Sequence, residues 1–223
     1  VLESMLAPYR STGQLRILLE SRVEAIDMNG DIAGAAIVKM LRTEEELTVD
    51  AAYILDATEL GDILPLAGME HVLGAESQHE TGEPHALPGD PDPLDQQAIS
   101  WVFTLDYRPG EDHTIERPED YDFWQAYKAD FWPDRQLSWV TPEPVTLEAV
   151  HRPIFNGPMD EPSGTDWWHF RRLLFRKYHQ DGFFPSDIIS VKWPQIDYWL
   201  GPIAGVDADE VKKNLRGARQ LSF

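Results

Sequence analysis

The alternation of apolar and polar positions predicts a β-rich first part of the chain. Gln14–Glu20 and Arg22–Asp27 are extended segments, and Met28–Asp31 contains Asn-Gly, the strongest short-range hairpin signal. Ile32–Met40 is the predicted return strand. Leu47–Leu55 is a further strand whose end, AAYIL, is continuously apolar, as is typical of a strand covered on both faces. We therefore predict a β-meander followed by a central strand, with no long helix before residue 55.

The remainder of the chain predicts short strands and helices separated by loops. Strands are predicted at Gln97–Tyr107, Ser138–Thr141, Trp167–Arg176 and Ile188–Trp193. Helices are predicted at Leu60–Gly68, Glu119–Asp130 and Asp207–Leu221, and loops at Gly82–Asp95 and Val150–Asp166. These patterns predict an α/β region over residues 1–75 and an α+β region, an antiparallel sheet with flanking helices, over residues 76–223.

Composition limits the compartments and partners that we expect. The chain carries 19 Lys and Arg against 39 Asp and Glu, a formal net charge of −20. Such a surface repels nucleic-acid phosphates and anionic membranes, so we expect neither as a partner. The absence of cysteine excludes thiolate and Fe–S chemistry and favours a reducing compartment, so we predict a cytoplasmic location. No apolar run reaches the roughly 18 residues of a membrane-spanning helix.

The segment YILDATELGD raises the first functional hypothesis. A predicted strand stops on Asp56, Ala57 and Thr58, and two further acids follow at Glu59 and Asp62. In open α/β sheets, ligands lie at the carboxyl ends of strands, where small residues and free N–H groups suit a phosphate or ribose. The alternative from the pattern alone is that Asp56 and Thr58 only cap the next helix.

This segment and several others resemble the FAD-dependent oxidoreductases with a glutathione-reductase-like flavin fold. The similarity begins at about Leu15 and covers most of the chain. The motifs that carry it are Asp-Ala-Thr at 56–58, Gly-Asp at 61–62, Ala-Gly at 67–68, GAESQHETGEPHA at 74–86, QQAISWVF at 96–103, DYRPGEDHTI at 106–115 and WPQIDYWLGP at 193–202. The resemblance implies FAD as the cofactor.

The resemblance also implies how the chain is divided. Residues 1–75 would form part of an FAD/NAD(P)-binding Rossmann-like domain, and residues 76–223 the substrate domain of an enzyme that oxidises a small organic molecule by hydride transfer to flavin. The family's Gly-x-Gly-x-x-Gly fingerprint and its second flavin-contacting segment are missing, and Glu59 replaces the usual glycine. The chain also begins VLESMLAPYR, without an initiator Met. We therefore expect an internal fragment that is inactive alone and does not hold FAD tightly.

Several single residues receive roles from the resemblance. It implies that the strand containing Val23 contacts the adenine through its backbone, and that Asp56, Ala57, Thr58 and Glu59 border the nucleotide. It also implies that Gln96 and Gln97 lie beside the cofactor, where an amide would hydrogen-bond a flavin edge or a substrate hydroxyl. Two alternatives remain open. Val23 would have only a packing role, and the two Gln residues would only begin a strand.

His85 is the predicted acid–base residue, because histidine titrates near neutral pH. There are two alternatives for His85. It would be an exposed loop histidine without a role, or it would form a metal site together with His79 and the surrounding acids. The spacing of the two histidines and Pro84 between them disfavour the metal site, and we predict none.

Trp193, Asp197 and Tyr198 are the predicted substrate-binding residues, because aromatic rings beside a carboxylate suit a small polar substrate. The alternative is that the rings fill the core. Eight Trp and many acids also leave open a carbohydrate-active or carbohydrate-binding protein, and a non-catalytic interaction module remains a third possibility.

Overall fold

The computed structural model describes residues 1–158 and 166–223 and contains two compact units, Val1–Val72 and Leu73–Phe223. It is a mixed α/β structure with several small antiparallel sheets, which fits part of a flavin oxidoreductase. The predicted division into residues 1–75 and 76–223, with a cofactor role and a substrate role, stays a prediction. Part of the predicted loop Val150–Asp166 lies outside the described residues.

The first unit is built on the predicted hairpin. Its helices and strands are α1 (Leu2–Ser11), β1 (Ser21–Asn29), β2 (Ile32–Met40), β3 (Glu46–Asp50) and α2 (Ile63–Leu66). The three strands form an antiparallel meander in the order β1-β2-β3, and the Asn-Gly turn joins the first two. Its small core contains Ile26, Ala36 and Val38.

Three predictions for this unit were wrong. The N-terminal residues form helix α1, and Gln14–Glu20 is not a strand. The strand predicted over Leu47–Leu55 ends at Asp50, so no central strand forms. Among the described residues, β3 pairs with β2 and has no neighbouring strand on its other edge. Beyond Asp50, Tyr53 and Leu55 are 88% and 89% exposed. An apolar run becomes a covered strand only where neighbours supply hydrogen bonds and packing.

The second unit contains shorter elements. They are α3 (Gln78–Thr81), β4 (Ile99–Ser100), β5 (Phe103–Asp106), α4 (Tyr121–Ala126), β6 (Val140–Pro142), β7 (Ala149–His151), α5 (Trp167–Phe170), β8 (Arg172–Leu174), β9 (Ile188–Val191), β10 (Asp197–Tyr198) and α6 (Ala208–Ser222). Among the described residues, these strands form three antiparallel sheets, with strand orders β5-β9-β8, β10-β4 and β6-β7. Two single turns of 3₁₀ helix occupy Arg176–Tyr178 and Pro194–Ile196.

The last helix is confirmed at its predicted position. The Asp207 carboxylate accepts hydrogen bonds from the N–H groups of Asp209 and Glu210 and so caps α6. The strand predicted over Trp167–Arg176 was wrong in its first half, which is helix α5. The reason is again a cap, because the Asp166 side chain accepts from the N–H of His169 and satisfies the first turn.

Two aromatic clusters form the core of the second unit. One contains Trp167, Trp168, Ile189, Val191, Trp193 and Ile196. The other contains Trp124, Tyr198, Ala218 and Leu221. The second cluster attaches α6 to strand β10, because Gly217 on the helix lies against the Tyr198 ring.

Candidate functional site

The corner at residues 56–59 is organised around one carboxylate. Asp56 Oδ1 accepts hydrogen bonds from Thr58 N at 2.9 Å and from Thr58 Oγ1 at 2.7 Å, while Oδ2 accepts from Ile63 N at 3.0 Å. Thr58 Oγ1 in turn accepts from Asp62 N. The hydrogen bonds from the Thr58 backbone and hydroxyl lower the pKa of Asp56 below its usual value, so the carboxylate is ionised at neutral pH. Asp56 and Thr58 therefore cap the start of α2.

Capping leaves the rest of this corner open. Asp56, Ala57, Thr58 and Glu59 are all exposed to solvent. Within residues 1–158 and 166–223, the N–H groups of Ala57 and Glu59 donate to no other group. Small side chains with free N–H groups fit a nucleotide phosphate or ribose. The chain has no glycine-rich loop to surround a pyrophosphate, so the fit covers only part of a dinucleotide.

Val23 lies in the same unit, on strand β1. Its side chain is half-buried and packs against the core of the meander, and its residue pairs with Val38 on β2. A β-bulge follows it, between Val23 and Ala25. Among the described residues β1 has one neighbouring strand, so its other backbone edge is unpaired. The predicted adenine contact would therefore use that backbone edge, and the side chain has the packing role.

Asp197 is a half-buried acid in the second unit. It begins β10, pairs with Ser100 on β4, and its carboxylate accepts a hydrogen bond from the Ser100 hydroxyl. Burial raises the pKa of Asp197, against the opposing effects of the Ser100 hydrogen bond and the positive charge of Lys192. A carboxyl group with a raised pKa is suited to accept and release a proton.

The two rings predicted beside Asp197 belong to different core clusters. Trp193 is 4% exposed and lies between the rings of Trp139 and Trp167. Tyr198 is also 4% exposed, and its hydroxyl donates to Asn214 Oδ1 at 3.0 Å. This burial supports the core alternative for both rings. A role in substrate binding stays a prediction for them.

The remaining predicted residues are His85, Gln96 and Gln97. His85 is exposed in a turn, and Gln97 is exposed just before β4. Gln96 is half-buried, and its amide donates to the carbonyls of Pro93 and Ala204, both at 2.9 Å. The side chain of Gln96 therefore joins two loops, and among the described residues none of the three hydrogen-bonds to Asp197. In the described part of the chain, no group of three or more His, Asp or Glu residues is arranged to hold a metal ion.

The structure shows buried polar residues that the sequence pattern did not reveal. Gln136 is fully buried, and its amide donates to the carbonyls of Asp197 at 2.6 Å and Gln195 at 3.2 Å. Asp166 and His169 also form a buried pair, with 2.6 Å between Asp166 Oδ1 and His169 Nδ1. Gln136 follows a short run without periodicity. The Asp-x-x-His spacing crosses the boundary between the predicted loop and the predicted strand, so no sequence signal marked Gln136 or the Asp166–His169 pair.

The comparison with known families decides the class of protein. Residues 1–222 match the family described as FAD dependent oxidoreductase. The chain belongs to this family. No curated protein and no solved structure matches it significantly.

For an FAD-dependent oxidoreductase family member, FAD is the cofactor that the family implies. The open backbone at residues 57–59 is compatible with a nucleotide, and its contact with FAD stays a prediction. Nothing supports the carbohydrate alternative, and four of the eight Trp residues are buried in the core: Trp124, Trp167, Trp168 and Trp193. No described helix has both the length and the apolar character needed to cross a membrane.

Proposed function

We propose that this chain is part of an FAD-dependent oxidoreductase that oxidises a small organic substrate by hydride transfer to flavin. The observation that carries the proposal is the family match over residues 1–222. The open corner at residues 56–59 supports it, because an exposed turn with free N–H groups at Ala57 and Glu59 suits a nucleotide phosphate or ribose. In such an enzyme, bound flavin supplies the hydride acceptor, and the protein supplies binding and orientation.

We assign the nucleotide contact to the first unit. The N–H groups of Ala57 and Glu59 would donate to phosphate or ribose oxygens, and the free edge of the strand containing Val23 would face the adenine. Asp56 acts by holding the corner in shape through its bonds to Thr58 and Ile63. Its ionised carboxylate also favours a hydroxyl over a phosphate as its nearest ligand group, since like charges repel.

We assign proton transfer and the substrate to the second unit. Oxidation of an alcohol or amine by hydride loss also releases a proton, which a base must accept. His85 is one candidate, because it is exposed. Asp197 is the other, because burial raises the pKa of its carboxyl group and the Ser100 hydroxyl fixes its orientation. Trp193 and Tyr198 would support this acid from the core rather than stack on the substrate.

The nucleotide contact is tested by NMR on the ¹⁵N-labelled 223-residue chain. Added FAD should shift the amide resonances of Ala57, Thr58 and Glu59 with fast exchange, because without a glycine-rich loop the binding is weak. Ala57→Phe should weaken these shifts by placing a ring over the backbone. Ala149→Phe, at an exposed position in strand β7, is the matched control and should change nothing.

Two results would contradict the assignment. Shifts confined to other residues would place the nucleotide elsewhere, and equal binding by Ala57→Phe and the unaltered chain would show that this backbone makes no contact. A yellow, stoichiometric complex after purification would instead refute the expectation of weak binding.

A further inference from the structure

A cleft of about 660 Å³ opens on the surface of the second unit. Tyr107, Phe175 and Phe184 contribute aromatic rings to its lining, and Arg176 and Lys177 contribute positive charge. The cleft is formed where the 3₁₀ turn at Arg176–Tyr178 and the loop after it fold back beside the end of β5. It contains none of the residues assigned above to flavin, proton transfer or substrate.

The acid at the base of the cleft is already engaged. The Asp187 side chain is 5% exposed, and its Oδ1 accepts from the backbone N–H of Arg176 at 2.9 Å. Its Oδ2 lies 3.3 Å from Nε of Arg172, whose side chain is 10% exposed. This buried pair balances the Asp187 charge within the protein. Asp187 therefore positions the 3₁₀ turn and does not neutralise the cations at the mouth.

The two cations of the mouth are available to a ligand. The Arg176 guanidinium makes one long hydrogen bond, at 3.4 Å to the carbonyl of Pro185. In the part of the chain that the structure describes, neither Arg176 nor Lys177 forms an ion pair, and the exposed Asp181 at the rim pairs with neither. Two unpaired cations in one cleft are notable in a chain with 39 acids and 19 bases.

Two of the three aromatic residues in the lining, Tyr107 and Phe175, are held in place by neighbouring groups. The N–H of Tyr107 donates to the buried Ser186 Oγ at 3.0 Å, and its ring contacts Phe155 and Trp168 with centroid distances of 5.0 Å and 6.1 Å. Phe175 lies under the Arg172 guanidinium at 4.1 Å. Tyr107 and Phe175 therefore need little reordering to accept a planar apolar group, while Phe184 packs on His179 and Phe183 within the loop.

We propose that this cleft binds a small organic carboxylate with a planar apolar body, of the arylcarboxylate class. The carboxylate would meet the guanidinium of Arg176 and the ammonium of Lys177, since arginine presents paired N–H donors that match a carboxylate. The apolar body would pack against Tyr107 and Phe184. The proposal does not depend on flavin binding, because every residue that carries it lies in Leu73–Phe223.

Benzoate is the probe, titrated into the ¹⁵N-labelled 223-residue chain and followed by NMR. Saturable shifts should appear at the amides of Tyr107, Lys177 and Gly182, which line the cleft. Benzyl alcohol, which has the same ring without the charge, should bind more weakly. Lys177→Gln and Arg176→Gln should each weaken benzoate binding by about fivefold, the upper range for an exposed ion pair.

Lys212→Gln is the matched control, because Lys212 is an exposed cation on α6 outside the cleft, and it should leave benzoate affinity unchanged. Overlapping amide spectra of the free proteins establish that the variants are folded. Equal binding of benzyl alcohol and benzoate, equal affinity in Lys177→Gln and Lys212→Gln, or shifts at residues outside the cleft would each overturn the proposal.

Discussion

The two units bury different kinds of side chain. The first unit has a core of Ile26, Ala36 and Val38 under a three-stranded meander, while Tyr53 and Leu55 are almost fully exposed. The second unit buries four Trp rings and several polar groups, among them Gln136 and Asn214, both fully buried. The Asn214 side chain is satisfied within the unit, since its amide donates to the Pro202 carbonyl and its Oδ1 accepts from Tyr198.

This difference indicates where the stability of the chain lies. Burying a large aromatic ring contributes more free energy than burying an alanine or valine, because the contribution follows the apolar area removed from water. We therefore expect the second unit to be the more stable of the two. We also expect the first unit to tolerate changes in its exposed apolar segment.

The largest predicted effect is on the free energy of unfolding, and it compares one substitution in each unit. Trp168→Ala should lower the free energy of unfolding by roughly 3–5 kcal/mol, because Trp168 is 2% exposed and its removal leaves a cavity. Leu55→Ala, at a position that is 89% exposed, should change it by less than about 0.5 kcal/mol. Urea unfolding followed by tryptophan fluorescence and by circular dichroism gives both values.

Trp101→Ala is the control for loss of a fluorophore, because Trp101 is 45% exposed. A cost for Leu55→Ala similar to that for Trp168→Ala would break the comparison, since it would mean that the exposed segment of the first unit is packed in solution.

The second prediction concerns the contact between Gly217 on α6 and the Tyr198 ring on β10. Replacing a glycine by alanine inside a helix usually stabilises the helix by about 1 kcal/mol. Here an added Cβ would lie 2.6 Å from Cε2 of Tyr198, so we expect a destabilisation of roughly 1–3 kcal/mol. In the Tyr198→Leu background the ring is absent, and the same Gly217→Ala change should become neutral or stabilising. Chemical denaturation of the four proteins measures this coupling, and equal effects in both backgrounds would refute it.

The sequence predicted elements well where a local signal decides the conformation. The Asn-Gly pair placed the first hairpin, and the Asp207 cap with its amphipathic pattern placed α6. The segment after Asp50 has the composition of a covered strand, but whether a strand forms depends on neighbours that periodicity does not reveal. The Trp-rich stretch at Trp167–Phe170 was mistaken for a strand because its Asp166 cap was not recognised.

The candidate site was predicted in part for the same reason. The corner at residues 56–59 follows from local hydrogen-bonding chemistry, and both its capping and its exposure are visible in the structure. The environment of Asp197 depends on Ser100 and Gln136, which are distant in sequence, so the pattern identified the acid but not the burial that raises its pKa. Burial of Trp193 and Tyr198 is likewise a property of packing.

The smallest predicted effects compare one carboxylate from each unit. Asp56 has a pKa below its usual value of 3.8 because Thr58 donates two hydrogen bonds to it, whereas burial raises the pKa of Asp197 above 3.8. Carboxyl ¹³C NMR titration should therefore give midpoints on opposite sides of 3.8. Thr58→Val should move the Asp56 midpoint upward, and Ser100→Ala should move the Asp197 midpoint upward as well, because each removes a hydrogen bond to the ionised form.

The two shifts have opposite consequences for stability. A carboxyl group whose pKa is lowered by folding adds stability above pH 3.8, and this stability is lost as the pH falls through the folded-state value, which applies to Asp56. A raised pKa adds stability that is complete below pH 3.8 and is lost as the pH rises through the folded-state value, which applies to Asp197. Asp197→Asn should therefore reduce the loss of stability that occurs as the pH rises above 3.8. Asp56→Asn should reduce the loss of stability that occurs as the pH falls below 3.8. If both variants reduced the loss on the same side of that pH, the contrast between an exposed, hydrogen-bonded acid and a half-buried one would be wrong.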